Sequence, residues 1–348
     1  MKVNRIEKID FEKVKEENTG KINSVSLIRF ISVLLIITCH IFQYNNSNIA
    51  YWLNCGVQIF LVMSGFLYGM KTIEKPLDWF WHNLKKIYFP YIIYVIIAII
   101  VYYVGAPEYI NIISIVKLVT CLGTVKGLGH LWFVGYIIFC YLITYLLQII
   151  REEIREMKIN KFICTVLIIM CLFEVLGVVS NSYIQSDKII CYILGYFCAT
   201  LFSKYGLIFL NKLLYCLVPF TICICSVRIY FEYFASIKIR AMGHFVNLVQ
   251  MCLALTIFFL LFVMFKRMKF YNIFNISDKY SYYVYLVHHI FILGPFSLLA
   301  LWNTRVKYIV LFLAIVASTV FLYQICQGIE FVWRKVYEKS NVGIRDKA

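Results

Sequence analysis

The chain has 348 residues, of which 62% are hydrophobic and only 15% charged, and its mean hydropathy is +0.80. A soluble globular domain is roughly half apolar, so this composition excludes one and makes lipid the natural solvent. The formal charge of +16 does not indicate nucleic-acid binding, because the 34 Lys and Arg lie in short segments between apolar runs instead of on one concentrated basic surface.

Residues 1–24 mix Lys and Arg with Asp and Glu, carry no apolar signal-peptide core, and end at Asn23-Ser24, a plausible helix entry. They read as a cytoplasmic lead. Ten apolar segments follow, at 25–43, 51–70, 88–104, 131–150, 161–180, 188–203, 207–227, 243–265, 281–301 and 307–330. Each is close to the ~20 residues that cross a bilayer core. The fold class expected is therefore all-α: a polytopic, multi-pass protein with about ten transmembrane helices over 25–330, followed by a cytoplasmic tail at 331–348. With the N-terminus inside and sides alternating, 25 of the Lys and Arg fall in cytoplasmic segments and 8 outside. That asymmetry supports an even number of spans with both ends inside. The outside loop with Arg228, Lys238 and Arg240 runs against the trend.

The thirteen cysteines show no metal or disulfide spacing. Cys39, Cys140, Cys164, Cys171, Cys198 and Cys252 sit inside apolar runs, where cysteine behaves as a small hydrophobe.

A charge within a membrane helix is costly and points to function by default. Arg29 lies one turn into the first span, where it either serves a site or snorkels to the inner headgroups. His40 follows eleven residues later. At 100° per residue the two side chains are only ~20° apart around the axis, and at 1.5 Å per residue ~16 Å apart along it. One helix face thus offers a cation near the cytoplasmic end and an imidazole near the outer end.

Further polar features recur near the span ends. Gln58, Ser64 and Gly65 interrupt the second span, where small residues permit close helix approach. Lys71, Lys75, His82, Lys85 and Lys86 precede Pro90, either as orienting charge or as a phosphate site. His130-Leu131-Trp132-Phe133 opens the fourth span, either as an interfacial aromatic belt or as part of a site. The ninth span opens Ser281-Tyr282-Tyr283-Val284-Tyr285-Leu286-Val287-His288-His289.

Through these residues the sequence resembles the integral-membrane acyltransferase family 3, which includes bacterial O-antigen, nodulation-factor and enterobacterial common antigen acetylases. The family's Arg-x10-His is matched by Arg29 and His40, and its FFxxSGF segment by Phe60 to Phe66. Its basic run before a proline is matched by Lys85-Lys86 and Pro90, its HLWF by His130 to Phe133, and its SYxxYLxH by Ser281 to His288. The motifs run in family order from residue 25 to about 330. Two departures stand out: Gln58 replaces an acidic residue common in the family, and Lys-Lys replaces a run of Arg. Lysine lacks the bidentate fork that arginine offers a phosphate.

The resemblance implies transfer of an acyl group, chiefly acetyl, to a hydroxyl of a cell-envelope polysaccharide or its lipid-linked precursor, in the plasma membrane of a bacterium. Acetyl-CoA or another acyl-CoA would be the co-substrate, with no tightly bound cofactor and no metal. His40 would be the general base and Arg29 a catalytic or donor-holding cation. Ser64, His130, Trp132, Tyr285 and His288 would contact substrate, and Lys85 and Lys86 the donor phosphates. Polysaccharide-synthesis machinery would be a partner, alongside membrane lipid. Two other readings remain at this stage: a transporter of a small molecule or glycan, which intramembrane Arg and His would suit equally, and a non-catalytic partner in polysaccharide synthesis. No clear internal repeat accompanies the transporter reading.

Overall fold

The structure is a computed structural model that describes residues 23–158, 161, 164, 165, 168, 171, 172, 175, 186–235, 241–265, 273–301 and 305–345. Among these, every regular element is helical. The main helices are α1 (Asn23–Tyr44), α2 (Ile49–Leu53), α3 (Gly56–Gly69), α4 (Pro76–Gly105), α5 (Ile112–Val119), α6 (Trp132–Ile149), α7 (Arg151–Glu156), α8 (Ser186–Tyr230), α9 (Ala241–Phe265), α10 (Ile273–Ile292) and α11 (Val306–Arg345).

Among the described residues, seven helical stretches are long and apolar enough to cross a membrane: Ser24–Tyr44, Ile49–Gly69, Pro76–Gly105, Gly129–Ile149, Asp187–Phe234, Gly243–Phe265 and Val306–Lys335. The difference from the expected ten has local causes. Most of the segment at 161–180 lies outside the described residues. The sixth and seventh expected spans form one element, α8, whose backbone turns at Gly206 (φ 64°, ψ −152°). That conformation is essentially restricted to glycine. The ninth, α10, begins within polar sequence that includes Asp278 and Lys279, which lowers its hydropathy.

Several boundaries also move. The helix expected at 88–104 starts at Pro76, because proline at the first helical position is pre-set for a helix and Asp78 favours the N-terminal dipole. The span expected at 281–301 ends at Ile292, before Gly294 (φ 105°) and Pro295, a pair that cannot continue a helix. At the C-terminus, α11 continues past residue 330 to Arg345.

The chain divides into two compact units. The first takes the described residues of 1–32, 54–72 and 147–277; the second takes those of 33–53, 73–146 and 278–348.

In the first unit, α3, α8 and α9 pack together. A Cβ on Gly65 would collide with the Tyr192 carbonyl, and one on Gly195 with the Val62 carbonyl. The close approach anticipated from the small residues of α3 is therefore realised against α8. Beside it, Phe66 meets Phe202, Phe258, Phe259 and Phe262 with ring centroids 4.9–5.9 Å apart. Gln58 is wholly buried; its amide nitrogen donates to Asp187 Oδ2 at 3.1 Å and to Gln250 Oε1 at 3.2 Å. The amide thus meets a carboxylate from α8 and a second amide from α9, so that one polar side chain per helix shares a small buried network.

In the second unit, tyrosines of α4 hold the connection that follows it. Tyr91 donates to the Leu118 carbonyl at 2.5 Å and Tyr102 to that of Lys126 at 2.8 Å. From α10, Tyr282 donates back to the Ile87 carbonyl of α4 at 3.0 Å. These bonds fix the stretch leading into Gly129–Leu131, a 3-10 turn immediately before α6. Cys39, Cys140, Cys198 and Cys252 are buried as free thiols, as the apolar context implies, whereas Cys164 and Cys171 are exposed.

Candidate functional site

Four of the six histidines converge within the second unit. His40 lies one turn from the end of α1, His130 in the 3-10 turn before α6, and His288 and His289 near the end of α10. The His40 ring stacks on His288 with centroids 5.3 Å apart and meets His289 edge-on at 4.6 Å. His130 stacks on His289 at 4.7 Å and meets His288 edge-on at 5.1 Å. His130, His288 and His289 are buried, at 3%, 0% and 6% exposure, while His40 is half-buried and forms the more open side of the group.

The main chain sets where three of these rings carry their proton. A carbonyl oxygen only accepts, so the ring nitrogen facing it must be N–H. His130 Nε2 donates to the Leu286 carbonyl at 2.9 Å. His288 Nδ1 donates to the carbonyls of Tyr285 at 2.7 Å and Val284 at 3.1 Å. His289 Nδ1 donates to the Gly127 carbonyl at 2.8 Å. His40 Nδ1 likewise faces Gln43 Oε1 at 3.0 Å. In the neutral rings the opposite nitrogens, Nδ1 of His130 and Nε2 of the other three, are therefore lone pairs. Two of them, His130 Nδ1 and His288 Nε2, are buried with no hydrogen-bond partner. The cluster is rich in acceptors and offers no ring N–H to its own interior.

Tyrosines frame it. The Tyr285 hydroxyl donates to the main-chain carbonyl of His130, and its ring meets the His130 imidazole edge-on at 5.3 Å. Tyr94 of α4 places its ring 6.5 Å from His130, and its buried hydroxyl has no partner. Phe133 packs on Tyr285 at 5.2 Å. Such a site can take a proton from, or accept a hydrogen bond from, a hydroxyl that reaches it. Among the described residues, no group of three or more His, Cys, Asp or Glu side chains is arranged to hold a metal ion.

Of the residues singled out from sequence, the structure brings His40, His130, Tyr285 and His288 together. Trp132, two residues after His130, packs on Tyr136 at 5.2 Å and Phe133 at 6.2 Å. Lys85 and Lys86 are exposed on α4, nine and eight residues before Tyr94, or ~12–14 Å along the helix. Arg29 and Ser64 are half-buried residues of the first unit. Sequence reasoning left open which of His288 and His289 contributes, and it missed Gln43 and Tyr94 as members of the group. His289 had a visible signal: adjacent residues of a helix are 100° apart, so two neighbouring imidazoles can both face one wide site.

Among known proteins, a family model described as an acyltransferase domain matches residues 22–325. No curated protein and no solved structure matches the chain. The matched stretch contains all four clustered histidines and reaches from the first helix into α11. The chain belongs to acyltransferase family 3 and is a membrane acyltransferase.

Proposed function

We propose that the protein transfers an acetyl group from cytosolic acyl-CoA to a hydroxyl of a cell-envelope polysaccharide or its lipid-linked precursor. The single observation that carries this reading is the imidazole cluster around His40, whose lone pairs stand where an acceptor hydroxyl could be deprotonated. His40 is the general base. Its Nε2 takes the hydroxyl proton while the oxygen attacks the thioester carbonyl. The new C–O bond forms, the C–S bond breaks, and the proton held by His40 returns to the departing CoA thiolate. General-base catalysis of this kind is worth roughly 10²–10⁴ in rate.

Arg29 is the cation that meets a donor phosphate or the pantetheine arm through charge-assisted hydrogen bonds. Lys85 and Lys86, exposed at the polar end of α4, take the remaining phosphate contacts. His130, His288, Tyr285, Trp132 and Ser64 contact or orient substrate. Acyl-CoA is a co-substrate, and no tightly bound cofactor is required by this chemistry. Polysaccharide-synthesis enzymes are the expected neighbours.

We place the chain in the plasma membrane as a ten-span protein with both ends inside. The seven long apolar stretches, the second limb of α8 beyond Gly206, α10 and the apolar sequence at 161–180 together support this reading. The Lys and Arg asymmetry of the connecting segments supports the orientation. Mass spectrometry of envelope glycans from cells with and without the gene tests the activity. Acetylated glycan only in cells carrying the gene is expected; identical glycans in both would reject acyl transfer to the envelope.

A further inference from the structure

The proton positions of the cluster restrict what can bind there. Three rings have one nitrogen fixed as N–H by the carbonyls of Leu286, Tyr285 and Gly127, which leaves the other nitrogen an acceptor, and the Gln43 side-chain oxygen facing His40 Nδ1 favours the same state there. Reversing any of the first three would set a lone pair against a carbonyl oxygen and leave the ring's other nitrogen to donate. Only one of the four lone pairs is needed as the base. The others ask for donors, and two of them are already buried without one. Leaving such a group unmatched costs about 1–3 kcal/mol.

We propose that the acceptor substrate is a vicinal diol, held by a second imidazole while the first removes its proton. The reacting hydroxyl gives its proton to His40 Nε2, as in the reaction described above. The adjacent hydroxyl keeps its proton and donates it in a hydrogen bond to His289 Nε2. The His289 ring lies 4.6 Å from that of His40, the closest approach His40 makes to another imidazole of the group. It is also immobilised from behind by Gly127. A carboxylate or phosphate next to the reacting hydroxyl would bring only lone pairs to lone pairs and is disfavoured. His289 is thereby a specificity-determining residue, and this assignment rests on the acyl-transfer reading.

Gly129 supplies a way to probe His289 without altering it. A Cβ built on Gly129 stands 3.7 Å from His289 Nε2 and 3.6 Å from its Cε1, at ordinary van der Waals separation. Gly129→Ala therefore adds a methyl beside that nitrogen without a collision.

The test uses the purified full-length protein in lipid nanodiscs with acetyl-CoA, and compares cis- and trans-1,2-cyclohexanediol with cyclohexanol as surrogate acceptors. A membrane lipid extract serves as the source of native acceptor. At least one diol is expected to be acetylated tenfold or more faster than cyclohexanol. Gly129→Ala is expected to slow the diol about tenfold and cyclohexanol less than twofold. Equal rates for diol and monoalcohol, equal slowing of both by Gly129→Ala, or acetylation of the extract with neither diol accepted would each overturn the diol assignment while leaving acyl transfer standing. No acetyl transfer to any acceptor, the extract included, would overturn the acyl-transfer reading and the diol assignment with it.

Discussion

His289 Nδ1 lies 2.8 Å from the carbonyl oxygen of Gly127, 162 residues earlier in the chain. This one bond ties the end of α10 to the turn that carries His130, and it decides which nitrogen of His289 faces the other imidazoles. The same logic applies to His130 against Leu286 and to His288 against Tyr285.

Nitrogen-15 NMR of histidine-labelled protein in nanodiscs should consequently report, among the three rings bonded to main-chain carbonyls, one protonated at Nε2, His130, and two protonated at Nδ1, His288 and His289. Single His→Gln variants assign the signals. An Nε2–H form of His288 would contradict the hydrogen bonding described.

The turn within α8 depends on Gly206. Its φ of 64° with ψ −152° falls where a side chain costs of order 1–3 kcal/mol. No neighbouring atom lies within 4 Å of a Cβ built there, so Gly206→Ala adds backbone strain and no clash. We expect a lower unfolding temperature in detergent, with activity per folded molecule kept. An unchanged unfolding temperature would argue against the turn.

Gly195→Ala differs in kind. Its methyl would press on the main chain of α3 at Val62, which cannot rotate away as a side chain does. Overpacking of this sort costs typically ~1–3 kcal/mol. Reduced yield of folded protein and a lowered midpoint of thermal aggregation are the expected readings. A wild-type midpoint would show that the helices separate at no cost.

For the donor side, Lys85→Gln and Lys86→Gln each remove a point charge from the exposed part of α4. Loss of a hydrogen bond to a charged group is worth ~1.5–3 kcal/mol when fully made, so an increase of about tenfold in the KM for acyl-CoA is expected, with kcat held. A KM unaffected in the double variant would remove these lysines from the donor site and leave them as orienting charge.

Much of the architecture was legible because hydropathy and helix length are set by the same bilayer thickness. Ile273–Ile292 shows where that signal stops. The apolar run suggested continuation to residue 301, but Gly294-Pro295 ends the helix, and chain-breaking chemistry outweighs hydropathy. Gly206 was equally invisible to an apolar average, since a single backbone angle turns α8 while the run on either side stays apolar. In the site, His40, His130 and His288 were each visible as polar residues near span ends. Their convergence was not, because it is made by tertiary contacts between residues far apart in the chain. The adjacent pair His288-His289 was visible without showing which ring contributes, and Tyr94 came to light only with the packing. Gln58 stood out as polar within an apolar span, whereas its partner Asp187 sits at the start of a helix, where a carboxylate is unremarked.

The central claim is that His40 removes the acceptor's proton. It is tested most directly by the acetyl-CoA-dependent rate of His40→Ala against wild type, at equal amounts of membrane-inserted protein. A fall in kcat of about 10²–10⁴ with little change in the KM for acetyl-CoA is predicted. A His40→Ala protein that acetylates envelope glycan at the wild-type rate would contradict the account.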